Sequence, residues 1–341
     1  MASKWERPKL SPQLNPSLWR RIVARLPRIE TGPPDFHRRF QRARRSAFAT
    51  RTLPAVGDRL DAYARLTRLN RPIGAFLLLW PTLWAIWIAS GGRPDPLVFV
   101  VFVVGVFVMR SAGCVMNDFA DRKFDPHVRR TRERPLATGE VGVPEAMIVF
   151  AALVLIAVGL VLTMNRLTQY LAIAGLALAV SYPFMKRYTW LPQPYLGMAF
   201  GWAIPMAFAA QLGALPTVAW LLFIANIFWA TAYDTAYAMA DREDDLKIGV
   251  KSSAILFGDN DRLMIAILHA VVLLTLALVG RQMQLGPAFY WGLGIAAVFA
   301  IYEQWLIRKR KPAACFQAFM NNNWFGGAIF VGLALSYIFN G

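Results

Sequence analysis

Residues 96–125 read PLVFVVFVVGVFVMRSAGCVMNDFADRKFD. The apolar part is long enough, at 1.5 Å per helical residue, to cross a hydrocarbon core of ~30 Å. It is interrupted by one base, Arg110, and closes in Asn117, Asp118, Asp121 and Asp125. Membrane helices do not place carboxylates at random, because desolvating them is costly. The 117, 121, 125 spacing predicts an amide and two carboxylates on one helical face, with Arg110 deeper on about the same face.

The rest of the chain has the same character. Of 341 residues, 57% are hydrophobic and 17% charged, and mean hydropathy is +0.40. That composition excludes a water-solvated globule. Nine apolar runs are long enough to be spans, near 73–91, 97–116, 143–164, 167–185, 194–212, 217–240, 263–280, 286–306 and 322–339. The reading is an all-α polytopic membrane protein of about nine transmembrane helices. Trp80, Trp84, Trp190, Trp220, Trp291 and Trp324 are expected at interfacial depth.

Charge sets the orientation. The formal charge is +17, from 37 Lys and Arg against 20 Asp and Glu. Sixteen bases fall in the even-numbered loops, among them Arg122–Arg134, Lys186–Arg187, Arg242–Arg262 and Arg308–Lys311, whereas the odd loops hold three, Arg93, Arg166 and Arg281. Even loops are therefore expected to be cytoplasmic, with the amino terminus inside. Bases scattered between apolar runs build no nucleic-acid groove. Cys114 and Cys315 have no metal-ligand or disulfide pattern and are expected to be packing residues.

The sequence divides at about residue 55. Residues 1–55 are basic and Pro-punctuated, without the apolar core of a secretory signal, and are expected to be a disordered cytoplasmic arm carrying no catalytic residue; an upstream start and an organellar transit peptide are the alternatives. Residues 56–341 form the transmembrane domain. At its start, Arg59–Arg71 alternates bases with apolar residues, as an amphipathic interfacial helix does.

A second acidic stripe, Asp234, Tyr237, Asp241, Asp244 and Asp245, ends the sixth span, also on the cytoplasmic side. Two facing sets suit hard divalent cations; Mg²⁺ takes oxygen ligands and usually shares them with phosphate. Arg130 and Arg134 follow the first stripe, Lys247 and Lys251 follow the second, and Lys186 lies beyond Tyr182; all could meet phosphate oxygens. Arg110, inside a span, is a candidate two-point partner for a carboxylate.

These residues carry a resemblance to the UbiA superfamily of membrane prenyltransferases, in particular its bacterial 4-hydroxybenzoate branch. It extends from about Arg59 to the carboxyl terminus. It includes RPIGAFLLLWPTLWAIW at 71–87, NDxxDxxxD at 117–125, ERPLATG at 133–139, SYPFMKR at 181–187 and YDTAYAMADREDDLKIGVKSSAILFG at 233–258. The resemblance implies a helical bundle around a central cavity, capped by cytoplasmic helical loops and open laterally to lipid, with the first and ninth helices as walls of the opening. Catalysis would rest on Asp121, Asp125, Asp241 and Asp245. Asn117, Asp121, Asp125, Asp241 and Asp245 would hold Mg²⁺ on a polyprenyl diphosphate. Arg71, Arg130, Arg134, Tyr182 and Lys186 would contact the diphosphate, and Arg110 would bind the carboxylate of 4-hydroxybenzoate. Asp118 and Asp244 are supplementary acids of open role; Asp234 is a candidate support or base. Phe119, Phe124 and Tyr237 are candidates to shield an allylic cation.

The implied product is 3-polyprenyl-4-hydroxybenzoate, a ubiquinone precursor, made in the bacterial inner membrane or, alternatively, the mitochondrial one. No obligate protein partner is evident. Prenylation of homogentisate, dihydroxynaphthoate or haem is the alternative within the superfamily. A cation-coupled transporter would carry its charges nearer the midplane, and a CDP-alcohol phosphotransferase would show a DG, AR, GxxxDxxxD signature that is absent.

Overall fold

In the computed structural model, residues 56–340 are described, apart from Arg129. Expectations about residues 1–55 lie outside the described residues. The described chain is helical: α1 (Val56–Leu66), α2 (Ile73–Ala89), α3 (Pro96–Asp121), a 3-10 turn (Asp125–His127), α4 (Pro135–Thr138), α5 (Val143–Leu162), α6 (Arg166–Ser181) with a 3-10 extension (Tyr182–Arg187), α7 (Pro192–Gly201), α8 (Ala203–Leu212), α9 (Thr217–Ile248), α10 (Ser253–Phe257), a 3-10 turn (Gly258–Asn260), α11 (Asp261–Gln282), α12 (Pro287–Ile307) and α13 (Pro312–Asn340).

Seven helical segments are long and apolar enough to cross a bilayer, and the chain is a multi-pass membrane protein. The other two expected runs are also helical. However, α2 has 17 residues, short of a full crossing, and α12 carries Tyr290, Tyr302, Glu303 and Gln304 among its apolar positions. Lipid-facing character is plain on α5, of which only Ala146 and Ala157 are buried, and Ile148 and Leu155 are each 70% exposed.

Local chemistry sets the helix limits. Asp95 caps α3, its carboxylate accepting from the N–H groups of Leu97 and Val98 at 2.8 and 3.1 Å, with Pro96 in the first turn. Asn165 caps α6 through the Thr168 N–H at 3.0 Å. The amphipathic helix is shorter than expected: α1 stops at Leu66, and Pro72 disfavours helix in the residue before it. The sixth span exceeds its expected limit, because α9 continues for 32 residues, ~48 Å, to a left-handed Gly249 (φ +72°). That length exceeds the ~30 Å of a hydrocarbon core. The last helix begins at Pro312, ten residues before the expected span. The fifth is interrupted at Trp202, where Asn226 of α9 donates to the Gly197 carbonyl at 3.0 Å.

Helices meet closely where side chains are missing. A β-carbon on Gly292 of α12 would lie 2.7 Å from the Ala328 carbonyl oxygen of α13, a small-residue crossing of the kind lipid-embedded helices use. The core between α2, α9 and α13 is aromatic, with Trp84 5.3 Å from Trp229 and Trp229 stacked 5.7 Å from Phe325. Trp84 is thus fully buried rather than interfacial, its N–H donating to the Gly326 carbonyl at 3.2 Å. Trp80 also turns inward, to Asn323 at 2.9 Å, while Trp190, Trp220, Trp291 and Trp324 are exposed. Cys114 and Cys315 are buried and free.

Candidate active site

The acidic end of α3 and the acidic end of α9 face one cavity of about 750 Å³. Its lining includes the residues that the resemblance assigns to metal, diphosphate or carboxylate, Arg71, Arg110, Asn117, Asp121, Asp125, Arg130, Arg134, Tyr182, Lys186, Asp241 and Asp245, with Asp118, Asp234 and Lys251, whereas Lys247 lies outside it. Asp244 lies outside the lining and pairs with Lys247 at 3.3 Å.

One detail differs from the spacing argument. Asn117 and Asp121 share a face of α3, but the helix ends at Asp121 and Asp125 begins a separate 3-10 turn with Pro126 as its second residue. Asp125 reaches the cavity by a bend in the chain, not by continuing the stripe. It is 4% exposed. Burial, with the charges of Asp121 and Asp118 nearby, pushes its carboxyl up to about 6 against the pull of Arg134.

Several acids and bases of the cavity are paired with one another. Lys186 donates to Asp121. Arg134 contacts Asp125 and Asp118, each at 3.0 Å, and Arg130 holds Asp241 with two donors, at 3.1 and 2.6 Å, while lying over the Tyr237 ring at 4.4 Å. Among the described residues no three His, Cys, Asp or Glu groups converge as a metal-binding cluster in this arrangement. The donor set nonetheless fits a hard cation. It is all oxygen, and Asp121 Oδ1 is buried with no hydrogen-bond partner, so a cation can take that oxygen and draw further carboxylates from their bases.

Arg68 was missed by the sequence reading. It sits at φ +60° after α1, lines the cavity and donates to both oxygens of Asp118 at 2.8 and 2.9 Å. Asp118, 1% exposed, therefore anchors two arginines, Arg68 and Arg134. Nothing in the spacing signals a pair separated by fifty positions. Phe124 and Tyr237 line the cavity, but Phe119 does not; half a turn from the Asn117–Asp121 face, it lies under Arg122 at 4.4 Å.

Deeper in, Arg110 fits against α2 at Gly74, where any β-carbon would overlap its guanidinium. Its Nη1 donates to Cys114 Sγ at 2.8 Å, and Phe200 lies 5.8 Å away. Nε is buried without a partner, and no carboxylate pairs with this arginine among the described residues. Beyond Arg110 the walls are apolar and come from α2, through Leu77 and Leu78, and from α3, α5, α6, α7 and α8, whereas α13 contributes only Phe316 and Phe319 near the acidic end. The first expected span, α2, thus helps to wall the cavity, whereas the last helix enters the lining only through those two rings.

The sequence profile of the UbiA prenyltransferase family matches residues 78–326. The chain belongs to this family. Among curated UbiA relatives, the 4-hydroxybenzoate octaprenyltransferase of Nitrosococcus oceani is 63% identical over 281 residues, covering 82% of this chain and 99% of its own. That of Alkalilimnicola ehrlichii is 60% identical over 284 residues, covering 83% and 97%. The fold is shared with the apo UbiA homolog from Aeropyrum pernix K1 (TM-score 0.67, 22% identity, 77% of this chain and 97% of that one). It is also shared with the UbiA homolog from Archaeoglobus fulgidus bound to GPP and Mg²⁺ (TM-score 0.64, 17% identity, 81% and 99%).

Proposed function

We propose that this protein is a 4-hydroxybenzoate polyprenyltransferase, moving a polyprenyl group from polyprenyl diphosphate to the ring carbon ortho to the hydroxyl and giving 3-polyprenyl-4-hydroxybenzoate for ubiquinone biosynthesis. The names of relatives at 63% and 60% identity support the reaction. The observation that carries it to this chain is one cavity with acids and bases at its mouth, an unpaired arginine at mid-depth and apolar walls beyond. Those zones match a diphosphate, an aromatic carboxylate and an isoprenoid tail.

Asn117, Asp121 and Asp125 on one side, with Asp241 and Asp245 on the other, would hold Mg²⁺, which when bound neutralises charge on the leaving diphosphate. Arg130, Arg134 and Lys186 exchange their carboxylate partners for phosphate oxygens, assisted by Arg71 and Tyr182, and stabilise the same charge. Arg110 grips the acceptor carboxylate and sets the ring beside the allylic carbon. The allylic C–O bond breaks, the ortho carbon forms the new C–C bond, and loss of the ring proton restores aromaticity. Phe124 and Tyr237 offer π faces to the developing cation.

In this reading the chain crosses the bacterial inner membrane nine times, with the amino terminus and the acid-bearing helix ends cytoplasmic and the short helices α4 and α10 forming part of a cap. Residues 56–341 suffice for transfer, and 1–55 are dispensable. Purified protein supplied with Mg²⁺, radiolabelled polyprenyl diphosphate and 4-hydroxybenzoate should yield the C3-prenylated acid, with and without residues 1–55. Prenylation of homogentisate or dihydroxynaphthoate in place of 4-hydroxybenzoate would refute the acceptor assignment.

A further inference from the structure

Past Arg110 the cavity continues as an apolar arm along Met109, Val106, Gly105, Phe102 and Val101 of α3. From Asp121 to Val101 this is ~30 Å of helix, the thickness of the hydrocarbon core. Gln169 also lines the cavity, its amide donating to the carbonyls of Leu162 and Met164 at 3.3 and 2.8 Å.

Trp202 stands in the wall of this arm, in the break between α7 and α8. Three contacts hold it. Its indole N–H donates to the Leu171 carbonyl of α6 at 2.8 Å. Its ring meets Phe223 edge-on at 5.6 Å. Its Cδ1 occupies the space a side chain would need at Gly175, where a β-carbon would lie 2.8 Å away. Leu171 lies ~16 Å along α6 from Tyr182 at the diphosphate end. The indole is therefore a fixed apolar surface about halfway down the arm, where the backbone of the fifth span is interrupted.

We propose that Trp202 is a specificity-determining residue that reads the length of the prenyl tail. A tail reaching ~16 Å beyond the diphosphate packs on the indole, whereas a geranyl tail ends above it. Because the ring is already held by Leu171, Phe223 and Gly175, binding does not have to immobilise it, and the contact favours longer donors. This inference rests on the assignment of a prenyl diphosphate to the cavity.

The test measures dissociation constants of unreactive thiolodiphosphate analogues of geranyl, geranylgeranyl and octaprenyl diphosphate. The full-length protein is used in lipid nanodiscs with Mg²⁺, comparing wild type with Trp202→Ala, Trp202→Phe and Gly175→Ala. The preference for the geranylgeranyl over the geranyl analogue should fall roughly tenfold in Trp202→Ala, the effect of removing one aromatic contact. Trp202→Phe should be intermediate. Gly175→Ala, which displaces the ring, should also lower the ratio. An unchanged ratio in Trp202→Ala, or equal weakening of all three analogues, would assign Trp202 to helix packing alone and overturn the proposal. Wild type that binds the analogues without regard to length also overturns it, while leaving the donor assignment in place; wild type that binds none of them overturns both.

Discussion

Arg110 and Asp118 show how differently two charged residues of one helix are used. Arg110 has a buried Nε with no partner and a glycine cleared beside it, so its charge is available to an incoming anion. Arg110→Ala should raise the KM for 4-hydroxybenzoate by roughly 10- to 100-fold, the worth of a charge-assisted pair, and leave donor affinity unchanged in steady-state assays. Asp118 is committed to Arg68 and Arg134, whereas Asp121 has a free buried oxygen. Asp121→Asn is therefore expected to lower kcat by about 10²–10³, as loss of a transition-state charge contact does, and Asp118→Asn to raise mainly the KM for the donor by loosening two arginines. Equal kinetic effects in the two variants would contradict this division. The acidic stripes were legible because three- and four-residue spacing is the signature of a helix face. The Arg68 to Asp118 pair was not, since it depends on how α1 lies against α3.

Helix α9 carries its acids by length, and α13 is held by amides. Asn321 and Asn322 each donate to the buried Glu303 of α12 at 2.9 Å, and Asn322 accepts from Trp229 of α9 at 2.8 Å. His269 of α11 lies 3.5 Å from the same carboxylate. Three helices are thus joined to α9 through polar groups inside an apolar bundle, where an unsatisfied partner is costly. Glu303→Leu should destabilise the protein by about 1–3 kcal/mol, because it takes one acceptor from each of the two amides. Thermal unfolding in detergent would register this as a lowered midpoint, and an unchanged midpoint would show that the network adds nothing. The helices themselves were readable as apolar runs of sufficient length. Their true ends were less so: α3 yields to a turn before Asp125, and α9 and α13 extend into polar sequence because their partners cover it.

At the scale of the molecule, one cavity joins the two acidic helix ends to an apolar arm, so in the proposed function a water-soluble acceptor and a lipid-soluble donor can meet in it. The proposed reaction calls for divalent metal to bring the two acidic ends together on a diphosphate. Stripping the purified protein with EDTA should abolish transfer, and Mg²⁺ should restore it; activity that survives chelation would remove the metal from the reading. The positive-inside asymmetry makes a second prediction. With Cys114 and Cys315 replaced by Ser, a cysteine introduced at Lys309 should react with a membrane-impermeant thiol reagent only from the cytoplasmic face.

What the amino-acid sequence determined alone was the class of protein, the helical runs, the two acidic stripes and the buried arginine, since each is a matter of composition or of helical period along one segment. Tertiary structure alone decided which acid meets which base, that Gly74 makes room for Arg110, and which helices wall the arm. The reason is physical. In lipid a helix is apolar on every side, so no hydrophobic face announces which way it turns. Only charged positions mark the inner face, and between them orientation follows from side-chain fit across helices distant in sequence.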